Sequence, residues 1–118
     1  MFTITKEFHF SASHQLFDLP EGHQCARLHG HNYIVQLVMQ STTVNDIGFV
    51  RDYGDMKEFS KYIDDRLDHR HLNNIVDCNP TAENMCQLLF NKFAGTYPEL
   101  VAVRISETPR TWAEYRAN

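Results

Sequence analysis

The chain has 118 residues, 42% of them hydrophobic, and a formal net charge of −4 with histidine neutral. That length corresponds to a single domain, residues 1–118, with a core small enough that assembly into an oligomer is a natural way to bury more surface. The acidic balance argues against a general nucleic-acid binder, which carries a basic excess or patch.

Cysteine is present three times, as Cys25, Cys78 and Cys86, an odd count that does not read as a disulfide framework. The first ten residues alternate rather than forming an apolar run, so neither a targeting segment nor a membrane span is expected, and a reducing, cytoplasmic setting is the default. Six of the seven histidines fall in local pairs, His9/His14, His29/His31 and His69/His71, and His23 stands alone.

Residues 2–13 alternate: Phe2, Ile4, Phe8, Phe10 and Ala12 share one parity, with Lys6 the exception on that side. This is a half-buried strand. His14 keeps the inward parity at its end, whereas His9 falls on the polar face and reads as solvated. Residues 15–28, with Pro20 and Gly22, read as a loop. Residues 29–40 alternate again, with His29, His31, Tyr33, Val35, Leu37 and Met39 on one side. Imidazoles facing a core are costly unless hydrogen-bonded or metal-bound. Residues 41–48 form a turn, expected to return as a hairpin through Phe49 and Val50.

The period then changes. Met56, Phe59, Tyr62, Ile63 and Leu67 recur at helical spacing, predicting an amphipathic helix over 55–67. Asn79-Pro80-Thr81-Ala82-Glu83 opens a second helix, with Asn79 or Thr81 as its N-cap, and Gly95 and Pro98 close it. Residues 100–107 and 112–116 read as two closing strands. The order ββααββ implies an α+β fold with an antiparallel sheet.

The chemistry centres on Cys25-Ala-Arg-Leu-His29-Gly-His31-Asn-Tyr33. His29 and His31 lie two apart on one face of a strand, and His14 ends the neighbouring strand. Three protein ligands with an open position are the pattern of a catalytic zinc; iron, nickel and copper accept the same donors. Cys25, with Arg27 two residues on and a cation beside it, reads as a reactive thiolate, as a fourth ligand that closes the site, or as a small packed side chain. Asp68-His69 reads as a proton-relay pair or as a charged helix end. Glu107 has the parity of Val101, Val103 and Ile105, so it points where the core points; a ligand rich in N–H donors would satisfy it, as would water at a frayed strand end.

Taken together, Phe10-x-x-x-His14, Cys25-x-x-x-His29-Gly-His31-x-Tyr33, Leu67-Asp68-His69-x-x-Leu72-Asn73, Pro80-Thr81-x-Glu83 and Glu107-Thr108 resemble the 6-pyruvoyl-tetrahydropterin synthase superfamily from Phe8 to Tyr115. The three residues between Cys25 and His29 resemble its 6-carboxy-5,6,7,8-tetrahydropterin synthase branch; the pyruvoyl-forming branch carries a longer gap. The resemblance implies a tunnelling fold (T-fold), a four-stranded antiparallel sheet with two helices on one face, assembled as two stacked trimers. It implies a cytoplasmic lyase of queuosine and 7-deazaguanine synthesis that acts on 7,8-dihydroneopterin triphosphate. It assigns Zn2+ to His14, His29 and His31, the general base to Cys25, the relay to Asp68 and His69, and the pterin anchor to Glu107. The chain departs from relatives with two consecutive histidines after the aspartate: it has His69-Arg70-His71, which leaves His71 as an alternative relay. Arg27 and Lys6 are candidates for holding the triphosphate.

Overall fold

A computed structural model describes all 118 residues. Two long strands form its centre. β1 (Phe2–His14) and β2 (His29–Ser41) pair antiparallel over their whole length, from Phe2 opposite Ser41 to His14 opposite His29. Then come helix α1 (Lys57–Tyr62), a two-residue strand β3 (Arg70–His71), helix α2 (Ala82–Phe93), and strands β4 (Leu100–Ser106) and β5 (Ala113–Arg116). The sheet order is β3-β1-β2-β4-β5, antiparallel throughout except where β3 joins β1 in parallel.

The alternation in β1 and β2 is realised as two faces. Phe8, Phe10, Ala12, Tyr33, Val35, Leu37 and Met39 are buried beneath the helices, which contribute Phe59, Met85, Leu89 and Phe93 to the same core. Replacing a fully buried phenylalanine such as Phe59 by alanine costs about 3–5 kcal/mol. The other face is polar. Glu7, Gln36, Arg104 and Glu114 link side by side across β1, β2, β4 and β5. Cys86 packs in the core, and burial pushes its thiol up to about 12. No helix is long and apolar enough to cross a membrane.

Three details differ from expectation. The sheet has five strands, not four, because the chain after α1 bridges the free edge of β1 at Ala12 and Ser13; two residues are too few to show alternation. Phe49 and Val50 form no return strand, because the Asn45 side chain accepts from the N–H groups of Ile47, Gly48 and Phe49 and closes the loop on itself. The helix expected over 55–67 changes pitch twice: a 3₁₀ turn (Tyr53–Met56) enters α1, and a π turn (Ile63–Leu67) ends it with the Asp68 N–H bonded to Ile63 O. The wider π turn keeps Ile63 and Leu67 buried while releasing Asp68 at the sheet edge. α2 begins as expected, with Thr81, not Asn79, as its N-cap.

Candidate metal centre

Strand register brings the three histidines together. His14 lies opposite His29, and Ala12 opposite His31, so all three imidazoles project from the helix-covered face at the same end of the β1–β2 pair. Their ring centroids are 4.5–5.0 Å apart. One nitrogen from each lies within 4.8 Å of the others, and Cys25 and Glu107 are not part of this set.

Hydrogen bonding decides which nitrogens face inward. His14 Nδ1 is 2.8 Å from Pro80 O, and His29 Nδ1 is 2.7 Å from Arg27 O. A carbonyl only accepts, so both Nδ1 atoms carry protons. The Nε2 atoms of His14 and His29, 2.9 Å apart, then face each other as bare lone pairs. His31 Nε2 is buried without any hydrogen-bond partner. Burial holds the pKa values of His14 and His31 below the ordinary imidazole value, so protons do not readily relieve the arrangement. Two converging lone pairs and the unpartnered His31 Nε2 fit a metal cation held by three nitrogens, with carbonyls fixing the outer face of two rings. The Tyr33 hydroxyl, in the core and 3.1 Å from His14 Nδ1, completes the packing behind the first ring.

Cys25 sits on a 3₁₀ turn (Gln24–Ala26) whose N-cap is His23; the His23 ring accepts from the Cys25 N–H. The thiol lines a cleft of about 360 Å³ with Gln24, Arg27, Leu28, His29 and His31. The structure therefore brings Cys25 and two of the three histidines to one opening. Glu107, just past β4, approaches His31 Nε2 to 3.7 Å and lines another cleft, of about 390 Å³, with Glu83, Thr111, Trp112 and Glu114.

Asp68 and His69 lie elsewhere. Asp68 accepts from the Ser11 N–H at 2.9 Å and from His69 Nδ1 at 2.8 Å, and these bonds hold its carboxyl below the usual carboxylate range. His69 has φ +58°, and its side chain is 82% exposed. It lines a different cleft, with Ser11, Ser13, Arg70, His71 and also His31, which the Cys25 cleft shares. His71 pairs instead with the Ser13 hydroxyl, so the aspartate's partner is His69. Of the two basic candidates, Arg27 lines the Cys25 cleft, whereas Lys6 is bound to Tyr53 O eight residues back along β1, on the order of 26 Å from His14. The Pro80 and Arg27 carbonyls were not foreseen, since a backbone acceptor leaves no mark on residue type. Tyr33 is legible as a core position and as the last residue of the Cys25–Tyr33 motif.

Known proteins resemble the chain throughout. The family model described as 6-pyruvoyl tetrahydropterin synthase matches residues 3–118. A 6-carboxy-5,6,7,8-tetrahydropterin synthase of Synechocystis is 36% identical over 123 residues, spanning 98% of this chain and 93% of its own. A putative 6-carboxy-5,6,7,8-tetrahydropterin synthase of Archaeoglobus fulgidus is 34% identical over 107 residues, spanning 91% and 89%. The structure of Caenorhabditis elegans 6-pyruvoyl tetrahydropterin synthase superposes with a TM-score of 0.86 at 26% identity, covering 99% of this chain and 96% of that one.

Proposed function

The chain belongs to the 6-pyruvoyl tetrahydropterin synthase family, T-fold lyases, and on that premise we propose that it is a zinc-dependent 6-carboxy-5,6,7,8-tetrahydropterin synthase. The reaction takes 7,8-dihydroneopterin triphosphate and one water to 6-carboxy-5,6,7,8-tetrahydropterin, acetaldehyde and triphosphate. It needs no separate redox cofactor, because the pterin ring is reduced as the side chain is oxidised. The observation that carries the reading is the convergence of three histidine nitrogens beside the Cys25 cleft. The short Cys25–His29 spacing and the names of the relatives favour the carboxy-forming reaction.

His14, His29 and His31 hold the zinc. When bound, it supplies a Lewis acid that acidifies substrate hydroxyls and the C–H bonds beside them. Cys25, outside the ligand set, is left free to take a proton from the side-chain carbon. Asp68 binds His69 Nδ1–H, which fixes the tautomer and leaves Nε2 to exchange a proton with a substrate hydroxyl. Glu107, an acceptor only, binds the 2-amino and N3–H edge of the pterin, and Arg27 faces the phosphates.

Within one chain His69 and Cys25 line different clefts, on two sides of His31. We take the relay from a neighbouring copy, in a homo-oligomer of two stacked trimers working in the cytoplasm. Residues 1–118 act as one catalytic domain.

The test is to incubate zinc-loaded protein with 7,8-dihydroneopterin triphosphate and assay acetaldehyde and triphosphate, expected in equal amounts. Triphosphate with a pyruvoyl product and no acetaldehyde would move the assignment to the pyruvoyl-forming reaction. Zinc and pterin bound stoichiometrically without turnover would make the chain a binding module.

A further inference from the structure

β1 ends at His14, and beyond it the backbone groups of residues 15 and 17 are met by two side chains. The Asn73 amide accepts from the Gln15 N–H at 2.9 Å and donates to Gln15 O at 2.7 Å. The Asn79 amide accepts from the Phe17 N–H at 3.2 Å and donates to Phe17 O at 2.9 Å. A primary amide presents a donor and an acceptor side by side, as a strand backbone does, so these two side chains stand where β3 would have continued.

Leu16, between the two clamped residues, bonds to the turn that carries the thiol. Its N–H donates to Cys25 O at 3.1 Å, and the Gln15 side chain donates to Ala26 O at 2.9 Å. Asn79 also precedes Pro80, whose carbonyl orients His14. Asn73 and Asn79 thus tie one short segment to both the first histidine of the triad and the Cys25 turn, although neither lines the Cys25 cleft.

We infer that Asn73 and Asn79 are positioning residues: their amide clamps on Gln15 and Phe17 set the distance and direction of the Cys25 thiol relative to the metal held by His14, His29 and His31. The inference rests on the proposed reading of that centre, but its main readout needs no substrate. Aspartate in place of either asparagine keeps the shape and the acceptor but loses the donor, setting a carboxylate oxygen against a backbone carbonyl.

The experiment measures iodoacetamide reaction at Cys25 with and without zinc, in a Cys78→Ser background. A cation near the thiol favours the reactive thiolate, so zinc accelerates alkylation severalfold in the parent protein. In Asn73→Asp that acceleration falls to about one, while zinc still binds at one per chain. Turnover falls roughly ten- to a hundredfold in kcat with little change in KM, as expected of a misplaced group. Asn73→Ser, which keeps a hydroxyl donor and acceptor at shorter reach, shows the same effects more weakly and stands in if the aspartate variant does not fold. An unchanged zinc effect and kcat in a folded variant with lowered Tm would reduce the clamps to ordinary structural bonds and overturn the inference. If the parent protein itself does not turn over, the proposed reaction fails while the alkylation ratio still decides the role of the clamps.

Discussion

The two histidine-bearing clusters of this chain are built on opposite terms. The triad of His14, His29 and His31 lies on the covered face of two fully paired strands, its positions fixed by register and two of its rings oriented by backbone carbonyls. The Asp68–His69 pair lies at an exposed sheet edge, just after a π turn, with His69 at positive φ and open to solvent. The first is complete within one chain. The second has its tautomer set by Asp68 and opens on a cleft that His31 also lines. Rigid strand geometry suits a site that must hold a charge at fixed distances, whereas a relay presented from an edge suits a site assembled from more than one copy.

Substitutions that separate the clusters sharpen the contrast. His31→Ala removes one of three nitrogens. Zinc measured by metal analysis after dialysis is expected to fall from one per chain to near zero, and turnover by about a thousandfold or more, from the loss of several kcal/mol of charge stabilisation. Cys25→Ala is expected to keep its zinc and lose most turnover; loss of the metal as well would make the thiol a ligand and end its role as base. Asp68→Asn leaves zinc untouched and lowers kcat roughly a hundredfold by freeing the His69 tautomer. Zinc lost in that variant would break the distinction between the clusters.

The smallest expected effect concerns pH. Burial depresses His14 and His31 from the ordinary value of 6.5, so the unfolded chain binds more protons than the folded one as pH falls below it. Metal-free protein should hold its full Tm above pH 6.5 and lose stability as pH drops through the folded values. A Tm that is flat or rising toward acid pH would contradict the buried, neutral state of His14 and His31.

The same contrast explains what could be read from residue order. Parity placed His14, His29 and His31 on one face because a strand's period of two is strict over thirteen residues of β1 and of β2. It pointed Glu107, just past β4, to the core side for the same reason, and there the carboxylate lies 3.7 Å from His31 Nε2. The family resemblance supplied the roles. Parity was silent on the parts held by backbone or by turns: β3 is two residues long, the pitch change from α1 to the π turn leaves the apolar spacing intact, and the loop closed by Asn45 resembles any polar turn. Asn79 reads as a helix N-cap candidate and Asn73 only as the end of a motif, because their partners, Phe17 and Gln15, lie 62 and 58 residues away.

The sharing of one site between copies is tested most directly by mixing two inactive chains. Cys25→Ala retains the relay and His69→Ala retains the thiol. Unfolded together in equal amounts and refolded with zinc, they should recover about a quarter of wild-type turnover, since random assembly pairs an intact thiol with an intact neighbouring relay at that frequency. Recovery no greater than that of either variant refolded alone would mean that thiol and relay act within one chain, and would contradict the account.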